Sequence, residues 1–198
     1  MENSVIQQWL QNIASGQEDH QEPHPGGQDR LPARVTGTRF SADWIPEKKA
    51  FKVAVQEGTV IVDGDASQYA GATGRGGTLI VKGNAASRCG ISMKGIDIVV
   101  GGSVGHMSAF MAQKGTLVVC GDAGDALGDS IYEARLYVRG SVKSLGADCV
   151  EKEMGPEHLA ELAELLERGG CDADPAQFRR YGSARKLYNF NIDNLDAY

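Results

Sequence analysis

Five glycines recur at a spacing of 19 residues with no insertion between copies: Gly64, Gly83, Gly102, Gly121 and Gly140. A valine stands two positions before each (Val62, Val81, Val100, Val119, Val138), and Val60, Leu79, Ile98, Leu117 and Leu136 stand two further back. The copies read GTVIVDGDA, GTLIVKGNA, IDIVVGGSV, GTLVVCGDA and ARLYVRGSV. A period this short leaves no room for a βα unit, whose crossover needs roughly a dozen residues or more. Each copy is therefore one coil of short strands, and stacking coils sets each strand about 4.8 Å from its counterpart. The expected fold is all-β: a single-stranded, right-handed parallel β-helix of five coils, its hand following the rule for parallel crossovers.

A second glycine column lies seven residues on, at Gly71, Gly90 and Gly128, with Ala109 and Ala147 as small departures. These glycines mark corners, where the chain bends sharply, takes φ > 0 or approaches another coil closely. One residue past each corner glycine of the first column come Asp65, Asn84, Ser103, Asp122 and Ser141. Such side chains hydrogen-bond their own backbone at turns, so a stacked ladder of turns is expected. Both ends of the solenoid need caps, because an open end is an unpaired edge.

The flanks divide the chain into residues 1–57, 58–152 and 153–198. In the first, Ser4–Ala14 spaces Val5, Ile6, Trp9, Leu10 and Ile13 as an amphipathic helix, with Ser4 and Gln7 in capping-box positions. Residues 15–30 hold no aliphatic side chain and read as a linker or exposed loop. Phe51, Val53 and Val55 alternate with polar or small neighbours as a lead-in strand. In the last part, Pro156–Arg168 predicts a helix with Leu159, Leu162, Leu165 and Leu166 on one face and Gly169 at its end, expected to cap the last coil. Asp174–Pro175 starts a further helical turn, and the tail sets Phe178, Tyr181, Leu187, Tyr188 and Phe190 among the basic residues Arg179, Arg180, Arg185 and Lys186. Such a mixture suits a partner surface.

A net charge of −6 argues against a nucleic-acid partner, which calls for a basic face. No stretch approaches the ~18 apolar residues that cross a bilayer, and the first 30 residues run into acidic and amide-rich sequence, so a cytoplasmic location is expected. Cys89, Cys120, Cys149 and Cys171 form no C-x-x-C pair and read as reduced, packed thiols. His20 and His24 lack a third ligand, Asp122, Asp125 and Asp129 lack the nonapeptide repeat of calcium-binding β-rolls, and His106 and Ser108 sit in no nucleophile elbow. Gly74–Arg75–Gly76 is a G-x-G that the repeat itself explains, and a strand follows it where a phosphate loop would need a helix. One column is less bland: Arg75, Lys94 and Gln113, with Lys114 beside it, stack like charges unless an anion or acidic partner lies over them. The residues therefore give no catalytic, cofactor-binding or metal site.

The segments DASQYAGATGRGG, NAASRCGISMKG, GGSVGHMSAFMAQKG and GDAGDALGDSIYEA resemble the GXGXG domain at the C-terminal end of the glutamate synthase large subunit, a domain that also occurs in formylmethanofuran dehydrogenase. The short chain with its GSARKLYNF tail is more similar to the stand-alone GXGXG subunit of glutamate-synthase-like complexes, N-methylglutamate synthase above all. The resemblance implies a non-catalytic scaffold without a cofactor of its own. Its implied partners are a class II glutamine amidotransferase-like chain and an FMN-binding synthase-like chain, with FMN and an iron–sulfur cluster held by those partners. The other reading of the residues is an independent β-helix enzyme or binder of a sugar or an anion.

Overall fold

Every repeat carries three consecutive apolar residues ahead of its corner glycine, as in Val60–Ile61–Val62 and Leu117–Val118–Val119. Such runs are strands buried on both faces. The computed structural model describes residues 33–45 and 50–185, with side chains described from residue 58 onward. The strands are β1 (Ala33–Ile45), β2 (Ala50–Val62), β3 (Thr78–Val81), β4 (Lys94–Val100), β5 (Lys114–Val119), β6 (Arg135–Val138), β7 (Cys149–Lys152) and β8 (Arg179–Ser183), with an α-helix, α1 (Pro156–Gly169), between β7 and β8. They form one sheet in the order β1-β2-β3-β4-β5-β6-β8-β7.

The end of β2 pairs in parallel with β3, and so on to β6, so that Val62, Val81, Val100, Val119 and Val138 lie in one register. A second parallel ladder joins Ala66, Ala85, Val104, Ala123 and Val142 on the far side of each corner. The chain is thus a parallel β-solenoid with the 19-residue repeat. The ladder's five rungs enclose about four turns, where the sequence predicts five coils. The fifth coil begins in register at Val142 and then falls one residue short, since Leu127 pairs with Leu145. The backbone N–H groups of Gly90, Ala109 and Gly128 donate to the carbonyls of Ala70, Cys89 and Ser108 in the coil before, and the next such donor is Gly146, bonded to Leu127. Gly146, and not Ala147, therefore takes the second-column place in the last coil.

Antiparallel strands from the flanks close both edges of the ladder. β1 lies antiparallel along β2, pairing Ala33 with Val62 at one end and Ile45 with Ala50 at the other. The sequence predicts a single lead-in strand there, and the structure adds its partner. At the far edge β8 pairs antiparallel with β6, Leu136 opposite Tyr181, and β7 pairs in turn with β8. A return strand covers the unpaired N–H and C=O groups of a terminal rung as well as another coil would. The Ser4–Ala14 helix and the 15–30 linker lie outside the described residues.

The side chains divide into two clusters. Alternate positions of each strand point into the solenoid, where Val81, Ile98, Val100, Leu117, Val119, Leu136 and Val138 pack with Met93, Ile96 and Leu127. The intervening positions point outward, and α1 covers them: Leu162, Leu165 and Leu166 pack on Val99, Val118, Cys120 and Tyr137, with Phe178 completing the cluster. The expected capping role of this helix is corrected accordingly. It lies on the outer face of the sheet because that face is as apolar as the inner one, while the end of the solenoid is taken by β8.

Local chemistry fits α1 to that place. Pro156 opens it, His158 Nδ1 accepts from the Gly155 N–H at 3.0 Å, and the helix runs one residue beyond the expected end to a left-handed Gly170. Gly169 is inside the helix because a Cβ there would lie 2.7 Å from Val99 Cγ1. Polar bonds frame the apolar seam. Tyr137 donates to Glu161 at 2.6 Å, Arg135 bridges Glu161 at 2.6 Å, and Arg168 donates to Thr78 at 3.1 Å. Burial followed by the Glu161 bond pushes the Tyr137 hydroxyl well up, which keeps it a donor. Leu162→Ala removes a fully buried side chain from this seam and is expected to cost about 3 kcal/mol in urea unfolding. No described helix is long and apolar enough to cross a membrane.

Candidate functional site

The repeated polar column is the most regular chemical feature of the solenoid. Asp65 Oδ1 accepts the Asn84 N–H at 2.7 Å, Asn84 Oδ1 accepts the Ser103 N–H at 2.9 Å, Ser103 Oγ accepts the Asp122 N–H at 2.9 Å, and Asp122 Oδ1 accepts the Ser141 N–H at 2.7 Å. Each side chain bonds the following coil, where the sequence predicts bonds within its own turn. The Ser141 backbone N–H and then its hydroxyl hold the Asp122 carboxyl below the usual carboxylate range.

This ladder explains the first glycine column. A Cβ at Gly83 would lie 2.2 Å from Asp65 Oδ1, one at Gly102 2.4 Å from Asn84 Oδ1, and one at Gly121 2.5 Å from Ser103 Oγ and 2.8 Å from the Gly102 carbonyl carbon. None of these glycines has a positive φ, so close approach is the constraint and not backbone conformation. Gly64, in the first rung, would meet nothing within 4 Å. The second column differs: Gly71, Gly90 and Gly128 have φ between 66° and 69°, and Ala109 stands in the same left-handed region at 57°. A third column, not singled out from the sequence although the repeats contain it, comprises Gly58, Gly77 and Gly115 just ahead of the apolar runs. All three have positive φ, and a Cβ at Gly115 would lie 2.2 Å from the Ile96 carbonyl oxygen.

The three aspartates considered for calcium serve successive coil contacts instead. Beside Asp122, Asp125 bridges Lys143 at 2.7 Å, and Asp129 accepts from Ser130 Oγ at 2.8 Å and from the Ala147 N–H at 3.2 Å. The Lys143 bond is the main cause that lowers the Asp125 carboxyl. Ser108 is fully buried and donates to the Gly105 carbonyl at 2.9 Å, while His106 is exposed. Gly74–Arg75–Gly76 forms the corner below β4, where the Gly74 carbonyl accepts the Lys94 N–H at 2.7 Å. No group of three or more His, Cys, Asp or Glu among the described residues is arranged to hold a metal. His20 and His24 lie outside those residues.

The basic column is brought together. Lys94 and Lys114 are direct register partners of β4 and β5, and Arg75 adjoins Lys94, since a Cβ at Gly95 would lie 2.7 Å from the Arg75 carbonyl oxygen. All three side chains are exposed on one corner of the solenoid. The basic residues of the tail are used differently. Arg179 donates to the Gly140 carbonyl at 3.0 Å and lies 5.9 Å from the Tyr181 ring centre, Arg180 donates to the Glu153 carbonyl at 2.8 Å, and Arg185 pairs with Asp148. Phe178 and Tyr181, which the sequence assigns to a partner surface, are buried, Phe178 in the cluster under α1 and Tyr181 in the solenoid core. Burial also raises the Tyr181 hydroxyl. Lys186 is outside the described residues.

Over 96 residues the chain is 75% identical to Protein GlxC of Rhizobium meliloti (strain 1021), a stretch that covers 48% of this chain. The match spans less than half of that protein, 42% of its length. No family model matches the sequence, and no solved structure matches it. Identity of this depth over half the chain supports the GXGXG resemblance carried by the glycine columns, at the level of the family and not of one member.

Proposed function

We propose that the chain is the non-catalytic GXGXG subunit of a glutamate-synthase-like complex, holding a class II amidotransferase-like chain and an FMN-binding synthase-like chain in register. The observation that carries the reading is the coil-to-coil ladder, in which the repeated polar side chains Asp65, Asn84, Ser103 and Asp122 bond the next coil's backbone. A rod stiffened in this way has the properties of a spacer, because each coil contacts only its neighbours and fixes them at a set rise. The finer reading is N-methylglutamate synthase, which converts glutamate and methylamine to N-methylglutamate and ammonia. It rests on the resemblance of the short chain and its GSARKLYNF tail.

In this reading the cofactors, FMN and an iron–sulfur cluster, reside in the partner chains. The exposed Arg75–Lys94–Lys114 corner is the surface to which an acidic partner would be drawn, with an on-rate that falls as salt is raised. The same corner is the one observation that favours the second reading, a β-helix that binds an anionic ligand or sugar. Affinity purification of the tagged full chain from its host, with the co-purifying chains identified by mass spectrometry, tests the proposal. Recovery of both partner types is expected. A chain that purifies with neither, at low and at physiological salt, overturns it.

A further inference from the structure

The column one position before each corner glycine reads Asp63, Lys82, Gly101, Cys120 and Arg139. It faces outward, under the end of α1. Cys120 is 4% exposed and belongs to the cluster that the helix covers, where Cys171 packs against it. The turn after the helix sets Cys171 there: its N–H donates to the Leu166 carbonyl at 2.9 Å, the Gly170 N–H donates to the Glu167 carbonyl at 2.9 Å, and the Gly169 carbonyl accepts from Lys82 Nζ at 2.5 Å. Both thiols are free and hydrogen-bonded to one another, and Lys82 and Arg139 bring positive charge from the coils on either side. Gly101 leaves the column without a side chain between Lys82 and Cys120.

We infer that Cys120 and Cys171 form an oxidisable dithiol, with Cys171 as the attacking sulfur and Cys120 as the resolving one, which a low-molecular-weight disulfide converts to a disulfide fastening the end of α1 to the solenoid. The thiolate is the nucleophile in such exchange, and cations beside a half-exposed thiol favour it. The Cys120 hydrogen bond, then the Lys82 and Arg139 charges, draw the Cys171 thiol down, while that bond and burial push Cys120 up. The Cys171 thiolate attacks one sulfur of the small disulfide. Its S–S bond breaks, the departing thiolate takes a proton, and a mixed disulfide is left on Cys171. Cys120 then gives up its proton and attacks the Cys171 sulfur, expelling the second small thiolate. The protein pair loses two electrons and two protons, and the small disulfide gains them. Cys89 and Cys149 supply internal controls, since burial pushes them up to about 12 and about 11 inside the solenoid.

The test uses the full chain, reduced, then exposed to glutathione disulfide at neutral pH, quenched with acid and mapped by peptide mass spectrometry. The expected product is a Cys120–Cys171 cross-link without adducts at Cys89 or Cys149, and a thermal midpoint raised by roughly 5–10 °C that dithiothreitol returns to its starting value. Cys120→Ser is expected to stop at the glutathione adduct on Cys171, and Cys171→Ser to leave Cys120 unreacted. The Cys120→Ser variant also guards against misreading, because adduct formation at Cys171 requires no cross-link geometry. A wild-type chain that holds a stable glutathione adduct, that reacts first at Cys89 or Cys149, or whose Cys171 alkylates no faster than a thiol in the unfolded chain overturns the inference.

Discussion

Removing residues 178–198 is expected to lower the thermal midpoint by roughly 15 °C and to leave a chain that aggregates. The deletion takes out β8, which pairs with β6 on one side and β7 on the other, and with it the buried side chains Phe178 and Tyr181. Each large aromatic contributes about 3–5 kcal/mol, and a chain of this length shifts by ~2–4 °C per kcal/mol. The loss also bares the β6 edge of a parallel sheet, which recruits other chains. The sequence alone predicts a milder result, a solenoid that stays folded and only releases its partners. A chain ending at Arg185 keeps every contact just named, so comparing the two truncations by differential scanning calorimetry and by co-purification separates folding from assembly. Equal midpoints for the deletion from 178 and the full chain would contradict the capping role of β8.

Gly121→Val is expected to destabilise the chain by about 4 kcal/mol or to prevent its folding, whereas Gly64→Val is expected to stay within about 1 kcal/mol of the parent. The two glycines occupy the same column of the repeat and neither has a positive φ, so their intrinsic conformational costs are alike. What differs is the neighbour. At Gly121 a Cβ meets Ser103 Oγ at 2.5 Å and the Gly102 carbonyl group at 2.8 Å, and these are held by the ladder and cannot move aside. At Gly64 there is no preceding coil of the ladder, and nothing lies within 4 Å. Urea unfolding of both variants, with m-values compared, measures the difference. Similar midpoints would mean that coil-to-coil approach is not what selects glycine there.

The solenoid is legible in the sequence because its signal is periodic: an ambiguous residue in one coil is outvoted by its four counterparts. The same regularity hides what is not repeated. α1 is readable as a helix from Pro156 and its leucines, but its place is not, because that depends on Ile80, Val99, Val118 and Tyr137 making the outer face apolar. The runs of three apolar residues carry that information, since a half-exposed strand alternates. The tail reads as a partner surface because buried and interfacial aromatics have the same composition, and only the pairing of β8 with β6 tells them apart. Tyr69, Arg88, Met107 and Ala126 share a left-handed column that no residue type announces, because it is imposed by the winding of the coil. β1 leaves an alternating trace in Phe40, Ala42 and Trp44 that is compatible with a strand. The Arg75, Lys94 and Lys114 column is legible as a stack, being fixed by the period alone.

If this chain organises an active complex without performing the chemistry, its contribution is measurable by reconstitution. N-methylglutamate and glutamate formation would be followed for the separately purified amidotransferase-like and FMN-binding chains, with and without this one, alongside the isolated chain. A scaffold gives no turnover and no flavin absorbance by itself, and at least about a tenfold gain when it joins the other two, the scale that modest improvements in positioning confer. Turnover or bound flavin in the isolated chain, or a two-chain mixture as active as the three-chain one, would contradict the scaffold role.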